Sequence, residues 1–267
     1  MLTQKFNTLS VATKLNLAPS IELRSGQYLL RFARNVMDLD AALKLRFEVF
    51  NLELGEGLQA SFQTGRDRDE FDAQCHHLIV EEEETGNVIG TYRIQTSEMA
   101  AAGNGFYSAG EFNLSGLPHD VVLNSIELGR ACIAPAHRHS NVLLLLWKGI
   151  AAYLAQQRKR YLFGCCSITS QSPADAREIT RQLKSGGHFH EGFLVTPQPE
   201  FACETEAEEL PEFSTAKIPK LFRTYLRLGA KVCGAPALDR AFKTIDYFVL
   251  LDCRDLNPAA MQMLFGV

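Results

Sequence analysis

Apolar residues along this chain gather into short dense runs with two different spacings. YLLRFAR (28–34) is compact and rich in large apolar residues and predicts a strand. Leu39, Ala42, Leu43, Phe47 and Phe50 recur every three to four residues and predict an amphipathic helix over 38–54, with Asn35 placed to open it. The polar stretch 55–72, rich in Gly, Asp and Arg, is expected to lack secondary structure, and its length points to a functional loop or a lid over substrate. HHLIVEEE (76–83) and NVIGTYRIQ (87–95) predict a hairpin turning at ETGN. SIELGRACI (125–133) predicts a strand, 141–160 a long helix apolar nearly all round, and RYLFGCCSI (160–168) a buried strand. A helix over 172–185 follows, with Ser172 as N-cap and Pro173 in its first turn. Beyond Gly186-Gly187 the pattern weakens: 200–212 is acidic and expected to be solvated, 219–232 helix into turn, 242–253 a strand, and a short helix closes the chain. Repeats and low-complexity linkers do not stand out. The expected organisation is an N-terminal arm (1–26) and one domain (27–267) whose last part, from about 186, is an extension.

Composition narrows the function classes. At 267 residues the chain can bury a sizeable core, and a net charge of −4 does not advertise nucleic-acid binding, so any basic site is a local patch. The longest apolar runs are too short to span a bilayer, and the N-terminus has no compact apolar secretory core, so a cytoplasmic protein is expected. The seven cysteines are odd in number, without CxxC spacing, and mostly in apolar runs, which predicts reduced thiols. Adjacent Cys165 and Cys166 would face opposite ways on a strand, a poor arrangement for a shared metal. His188 and His190, His76 and His77, and His137 and His139 have no third ligand at a suitable spacing, so no metal site is expected.

The strand SIELGRACI raises the chemical question. Glu127 and Arg130 lie in an apolar run, where an unpaired charge costs several kcal/mol. Partners in an ion network, or a site that needs them, are the two answers. Arg46 with Val49 and Phe50, Asp69 and Asp72 in DEFD, Arg93 in GTYRI, and Glu127 with Arg130 in ELGR resemble the signature of acyl-homoserine-lactone synthases. With ELGRACIAP, LLLLWKGIAAYL, FYSAGEFNLSGL and LRLGAKVCGAPALDRAFKTID, the chain resembles still more the bacterial ornithine-lipid N-acyltransferases, once labelled hemolysin-like. The resemblance covers roughly residues 28–250. It implies the GNAT fold, an α/β (α+β) architecture whose mixed central sheet is flanked by helices and splayed at the central strand. It also implies a bulge at Gly129, bringing Glu127 and Arg130 to one cleft.

Acyl transfer to an amine needs a neutral nucleophile, a proton acceptor and donors near the thioester oxygen. Glu127 suits the base role, with Arg130 beside it. Arg46, Phe50, Asp69, Asp72 and Arg93 are expected to bind substrate or form a structural network, and both roles can hold together. An acyl-coenzyme A enzyme of this fold usually carries a glycine-rich pyrophosphate loop, but here that loop reads AHRHSNVLL (136–144). The implied donor is therefore the acyl-phosphopantetheine of an acyl carrier protein, a substrate rather than a bound cofactor. Arg138, His139, Lys148, Arg158, Lys159 and Arg160 are candidate docking cations for that acidic partner; a solvated helix end is the plain alternative for Arg158 to Arg160.

The resemblance implies an amino-acid acceptor, ornithine first, with Asp69 or Asp72 holding its side-chain cation and Arg46 or Arg93 its carboxylate. The acyl chain would be long, a 3-hydroxyacyl chain included, and the product a lyso-aminolipid. Peripheral contact at the inner face of the cytoplasmic membrane is compatible with that. Cys165 and Ser167 could protonate the departing thiolate or lie beside the acyl chain, but core packing is the expected role of both. The rivals are an acyl-homoserine-lactone synthase, against which Trp147 as the only tryptophan counts, and a non-catalytic acyl-carrier or lipid-binding protein that would not need Glu127.

Overall fold

The computed structural model describes residue 15 and residues 18–138, 141–203 and 214–266. The strands in chain order are β1 (Glu22–Ser25), β2 (Tyr28–Phe32), β3 (His76–Glu82), β4 (Asn87–Thr96), β5 (Phe112–Asn113), β6 (Ser125–Ile133), β7 (Tyr161–Ile168), β8 (Thr196–Pro197), β9 (Lys231–Val232), β10 (Ala237–Asp239) and β11 (Thr244–Asp252). They fall into two compact units, one of Met1–Gly105, Leu128–Lys159 and Met261–Val267, the other of Phe106–Glu127 and Arg160–Ala260. β6 gives Ser125–Glu127 to the second and Leu128–Ile133 to the first.

In the first unit the order is β1-β2-β3-β4-β6. β1 pairs antiparallel with β2 around Gly26, whose positive φ of 59° suits the turn. Residues 22–25, placed in the N-terminal arm by sequence, are thus a sheet strand; the short polar ELRS has no apolar alternation to announce it. The β3–β4 hairpin forms as expected, turning at Gly86. Asn35 caps the helix Val36–Phe47 by accepting the N–H groups of Met37 and Asp38, both at 2.9 Å. The helix predicted to run to 54 widens at Glu48 into a π-helical turn, Glu48–Glu53. The 55–72 stretch is more structured than expected, with a helical turn at Ser61–Thr64 and a 3-10 turn at Glu70–Ala73. The long helix, Val142–Gln157, packs on the sheet with Leu145, Leu146 and Ile150 buried. Gly149 makes that approach: a Cβ there would sit 2.7 Å from Leu30 and 3.1 Å from Leu78.

In the second unit the order is β6-β7-β11-β10, with β9 also on β11 and β5 paired separately with β8. β6 and β7 are parallel, with Ser125–Glu127 opposite Tyr161–Phe163, whereas β7 and β11 are antiparallel along their full length. The sheet is therefore mixed. The helix Pro173–Ser185 buries Ala176, Ile179 and Leu183. Ser172 occupies its N-cap, but without the side-chain cap hydrogen bond. The acidic stretch 204–213 lies outside the described residues. The helix Lys220–Arg227 and the closing helix Pro258–Phe265 form where expected.

Candidate active site

In the first unit, the last turn of the first helix and the 67–72 turn bring three arginines to three aspartates. Arg46 is fully buried; its Nε donates to Asp67 at 2.8 Å, and its two Nη atoms donate to the oxygens of Asp72 at 2.8 and 3.3 Å. Arg93, from β4, bridges Asp69 and Asp72. Arg130, from β6, donates to Asp69 at 3.1 Å and lies 3.3 Å from Asp67. The turn reinforces this, since Asp72 accepts the N–H of Asp69 at 2.9 Å and Asp69 accepts that of Phe71. Burial opposes the charge on Asp72, but Arg46 and Arg93 outweigh it and hold its carboxyl far below the usual carboxylate range. Asp69 is lowered in the same way: burial opposes, Arg93 prevails, and Arg130 adds to it against the neighbouring Asp72. His77, behind the network with its ring against the Asp72 carbonyl, is pushed down to about 4 by burial.

Sequence named five of these six charges and missed Asp67. The alternation in RDRD, which puts Asp67 and Asp69 on one side of an extended segment, was the available signal. Next to Gly129, where a bulge is expected, Arg130 takes a left-handed φ of 48°. Left-handed backbone costs a residue with a Cβ about 1–2 kcal/mol, and the two ion pairs of Arg130 hold it there. Phe50 lies buried on the π-helical turn.

Of the docking cations, Arg138 grips Glu53 with both Nη atoms, at 2.5 and 2.7 Å. Lys159 pairs with Glu98 and donates to Ser97 Oγ at 2.9 Å. Arg160 pairs with Asp252 through Nε at 2.9 Å. Lys148 and Arg158 are exposed, and His139 lies outside the described residues.

Glu127 is built differently. It is 5% exposed at the end of the parallel β6–β7 pairing, in the second unit. Tyr107 N–H donates to Oε2 at 2.9 Å, while Ser108 N–H and Oγ donate to Oε1 at 2.7 and 2.6 Å. These three neutral donors come from the FYSAGEF segment. Ser108 is the functional candidate that sequence reasoning did not single out, although it lies in the quoted FYSAGEFNLSGL. On the other side of Ser108, Cys165 Sγ donates to Oγ at 3.5 Å. Burial first, then the negative charges of Glu111 and Asp246, keep the Cys165 thiol protonated well above its ordinary range. All seven cysteines are free. The same unit holds a group of carboxylates that sequence did not foresee, Glu111, Asp239 and Asp246, with oxygens within 4.8 Å of one another. Asp246 accepts from Ser167 Oγ and Thr244 Oγ1, and Asp239 from two backbone N–H groups of its turn. His190 Nδ1 accepts the N–H groups of Gly192 and Phe193 within its own turn.

Residues 45–148 match the family described as Acetyltransferase (GNAT) domain, in keeping with the mixed sheet and its flanking helices. The chain is 33% identical over 240 residues to an L-ornithine N(alpha)-acyltransferase of Agrobacterium fabrum, covering 85% of this chain and 82% of that protein. The protein of the same name in Brucella abortus is 33% identical, with 85% of each chain covered. Among solved structures, the AHL synthase LasI superposes with a TM-score of 0.48 at 14% identity, over 91% of this chain and 96% of that one. The identity to the Agrobacterium and Brucella proteins, sustained along most of the chain, places this acyltransferase in the L-ornithine N(alpha)-acyltransferase family.

Proposed function

We propose that this protein transfers a long-chain acyl group, 3-hydroxyacyl chains included, from acyl carrier protein to the α-amine of ornithine and releases a lyso-aminolipid. The observation that carries the reading is the sustained identity, over about 85% of the chain, to relatives named for ornithine Nα-acylation. The local chemistry is consistent with it. An amino acid reaches neutral pH chiefly as an ammonium, so an N-acyltransferase has to take up a proton at or before C–N bond formation. Glu127 is a buried carboxylate with fixed orientation and neutral donors, and it is the group assigned to that proton. Attack is direct: no Ser–His or Cys–His pair activates a nucleophile for a covalent acyl-enzyme among the described contacts.

Asp69, Asp72, Arg46 and Arg93 serve in this reading as scaffold rather than as grips on the acceptor, because each would have to leave a buried ion pair to bind it. Carrier docking along the long helix would draw on Arg138 before it, which answers to Glu53, on exposed Lys148 within it and on exposed Arg158 at its far end. The loop sequence AHRHSNVLL, without glycine, favours a donor lacking a pyrophosphate.

The test is an assay of the purified full chain with acyl carrier protein and coenzyme A thioesters of the same fatty acid. Ornithine, lysine and glycine are offered separately, and the products are read by mass spectrometry. An N-acylornithine formed faster from the carrier-protein thioester is the expected result. Preference for the coenzyme A donor would overturn the donor assignment, and acylation of another amine in preference to ornithine would overturn the acceptor.

A further inference from the structure

We infer that Glu127, Ser108 and Cys165 form a proton relay that carries the proton lost by the acceptor amine to the thiol leaving the donor. The inference rests on the reading of Glu127 as base. It adds the acid that such a reaction needs, a role no tyrosine was found to fill in the sequence.

The three groups form a continuous hydrogen-bonded chain inside one unit: Cys165 Sγ to Ser108 Oγ at 3.5 Å, then Ser108 Oγ to Glu127 Oε1 at 2.6 Å. Ser108 is fully buried, so water does not interrupt the middle link, whereas Cys165 is half-buried. Thiol and hydroxyl each both donate and accept, which a relay requires of its inner members. The backbone N–H groups of Tyr107 and Ser108 hold the carboxylate in register. Because burial keeps Cys165 protonated, it is a poor nucleophile; it serves the relay by passing on the proton it receives through Ser108, not by acidity of its own.

The balance closes. The acceptor ammonium first gives one proton to solvent; the free amine nitrogen then bonds to the thioester carbon, and the proton it loses on bond formation passes to Glu127. The hydroxyl and thiol rotors then reverse, so that Glu127 donates to Ser108 Oγ and Ser108 donates to Cys165 Sγ. As the C–S bond breaks, the departing sulfur keeps the electron pair and takes the Cys165 proton. Cys165 is refilled from Ser108, and Ser108 from Glu127. Each relay group ends in its starting state, and the products are an amide and a free thiol.

A thiol that is a good leaving group unaided does not need this acid. The full-length enzyme and its Cys165→Ala variant are therefore compared on acyl-pantetheine and on an acyl ester of an acidic aryl thiol, with ornithine as acceptor. The expected result is a loss in kcat of about 10²-fold or more with the pantetheine donor, within the range for general acid catalysis, and less than about 3-fold with the aryl donor. An equal loss on both donors, or no loss on either, would overturn the relay. If Cys165→Ala does not fold, Cys165→Ser carries the test: its hydroxyl is a weaker acid and the same selectivity should persist. A wild-type enzyme that fails to acylate ornithine from either donor, and from acyl carrier protein, overturns the proposed function instead.

Discussion

Asp72 and Glu127 are buried to nearly the same degree, 4% and 5% exposed, yet they are built for opposite ends. Asp72 faces two guanidinium groups, Arg46 and Arg93, which never release their protons under ordinary conditions. Its charge is locked, and with it the geometry of the turn that carries it. Glu127 is held by two backbone N–H groups and a hydroxyl, which fix its orientation without fixing a full opposite charge beside it in those contacts. In the proposed reaction Glu127 takes and returns a proton in every turnover, and donors that carry no full charge suit that exchange. Burial by itself therefore does not mark a catalytic acid or base; the kind of donor around it separates structure from chemistry.

The comparison breaks most visibly at Glu127. Glu127→Gln keeps the shape and removes the proton acceptor, so kcat per folded enzyme should fall by about 10²–10⁴-fold; its NH2 has to face one of the N–H donors, which should cost about 1–3 kcal/mol of stability and leave the circular dichroism spectrum near wild type. Near-normal turnover would remove Glu127 from the mechanism.

Asp72→Asn should do the reverse. It leaves two buried guanidinium groups short of their counter-charge and should cost about 3–5 kcal/mol in urea unfolding, with activity falling only as the folded fraction falls. Its pH dependence sharpens the point. A carboxyl lowered in the folded state stabilises it fully above the unfolded value, about 3.9, and that contribution is lost as pH falls toward the folded value. Wild-type stability should therefore drop on acidification through that range, and the Asp72→Asn curve should be flatter. Parallel curves would show that the network does not titrate as described.

The smallest effect lies on the surface. Lys148→Glu with Arg158→Glu should raise KM for the carrier-protein donor several-fold and leave KM for acyl-pantetheine unchanged, and the difference should shrink in high salt. Equal KM changes for both donors would take these cations out of carrier docking.

Strand β6 was legible to the residue, because SIELGRACI is bounded by polar turns and framed by apolar ends. The network around Arg46 was also largely legible, through the resemblance of Arg46, Asp69, Asp72, Arg93 and Arg130 to a family signature; the polar run RDRDEFD does not by itself mark Asp69 and Asp72 for burial. Ser108 was not: a serine beside glycine and alanine in FYSAGEF reads as a turn, and only the fold brings Glu127 and Cys165 to either side of it. Glu111, Asp239 and Asp246 escaped for the same reason, since Glu111 lies more than a hundred residues from the other two along the chain and only the fold brings it to them. β1 escaped because four mostly polar residues at a sheet edge carry little apolar pattern.

The π-helical turn at Glu48–Glu53 has a consequence for comparing and re-engineering relatives. Its closing bond runs from Leu54 N–H to the Val49 carbonyl, five residues back, at 3.0 Å. The helix therefore houses one residue more than an α-turn would over that span. Deleting one residue there would let the helix close regularly and would turn everything after the deletion by about 100° around its axis. Phe50, Asn51 and the Glu53 that clasps Arg138 would then address different neighbours. Relatives whose alignments place a single-residue gap between 48 and 53 should be expected to differ in what this turn touches, even where the flanking sequence is the same.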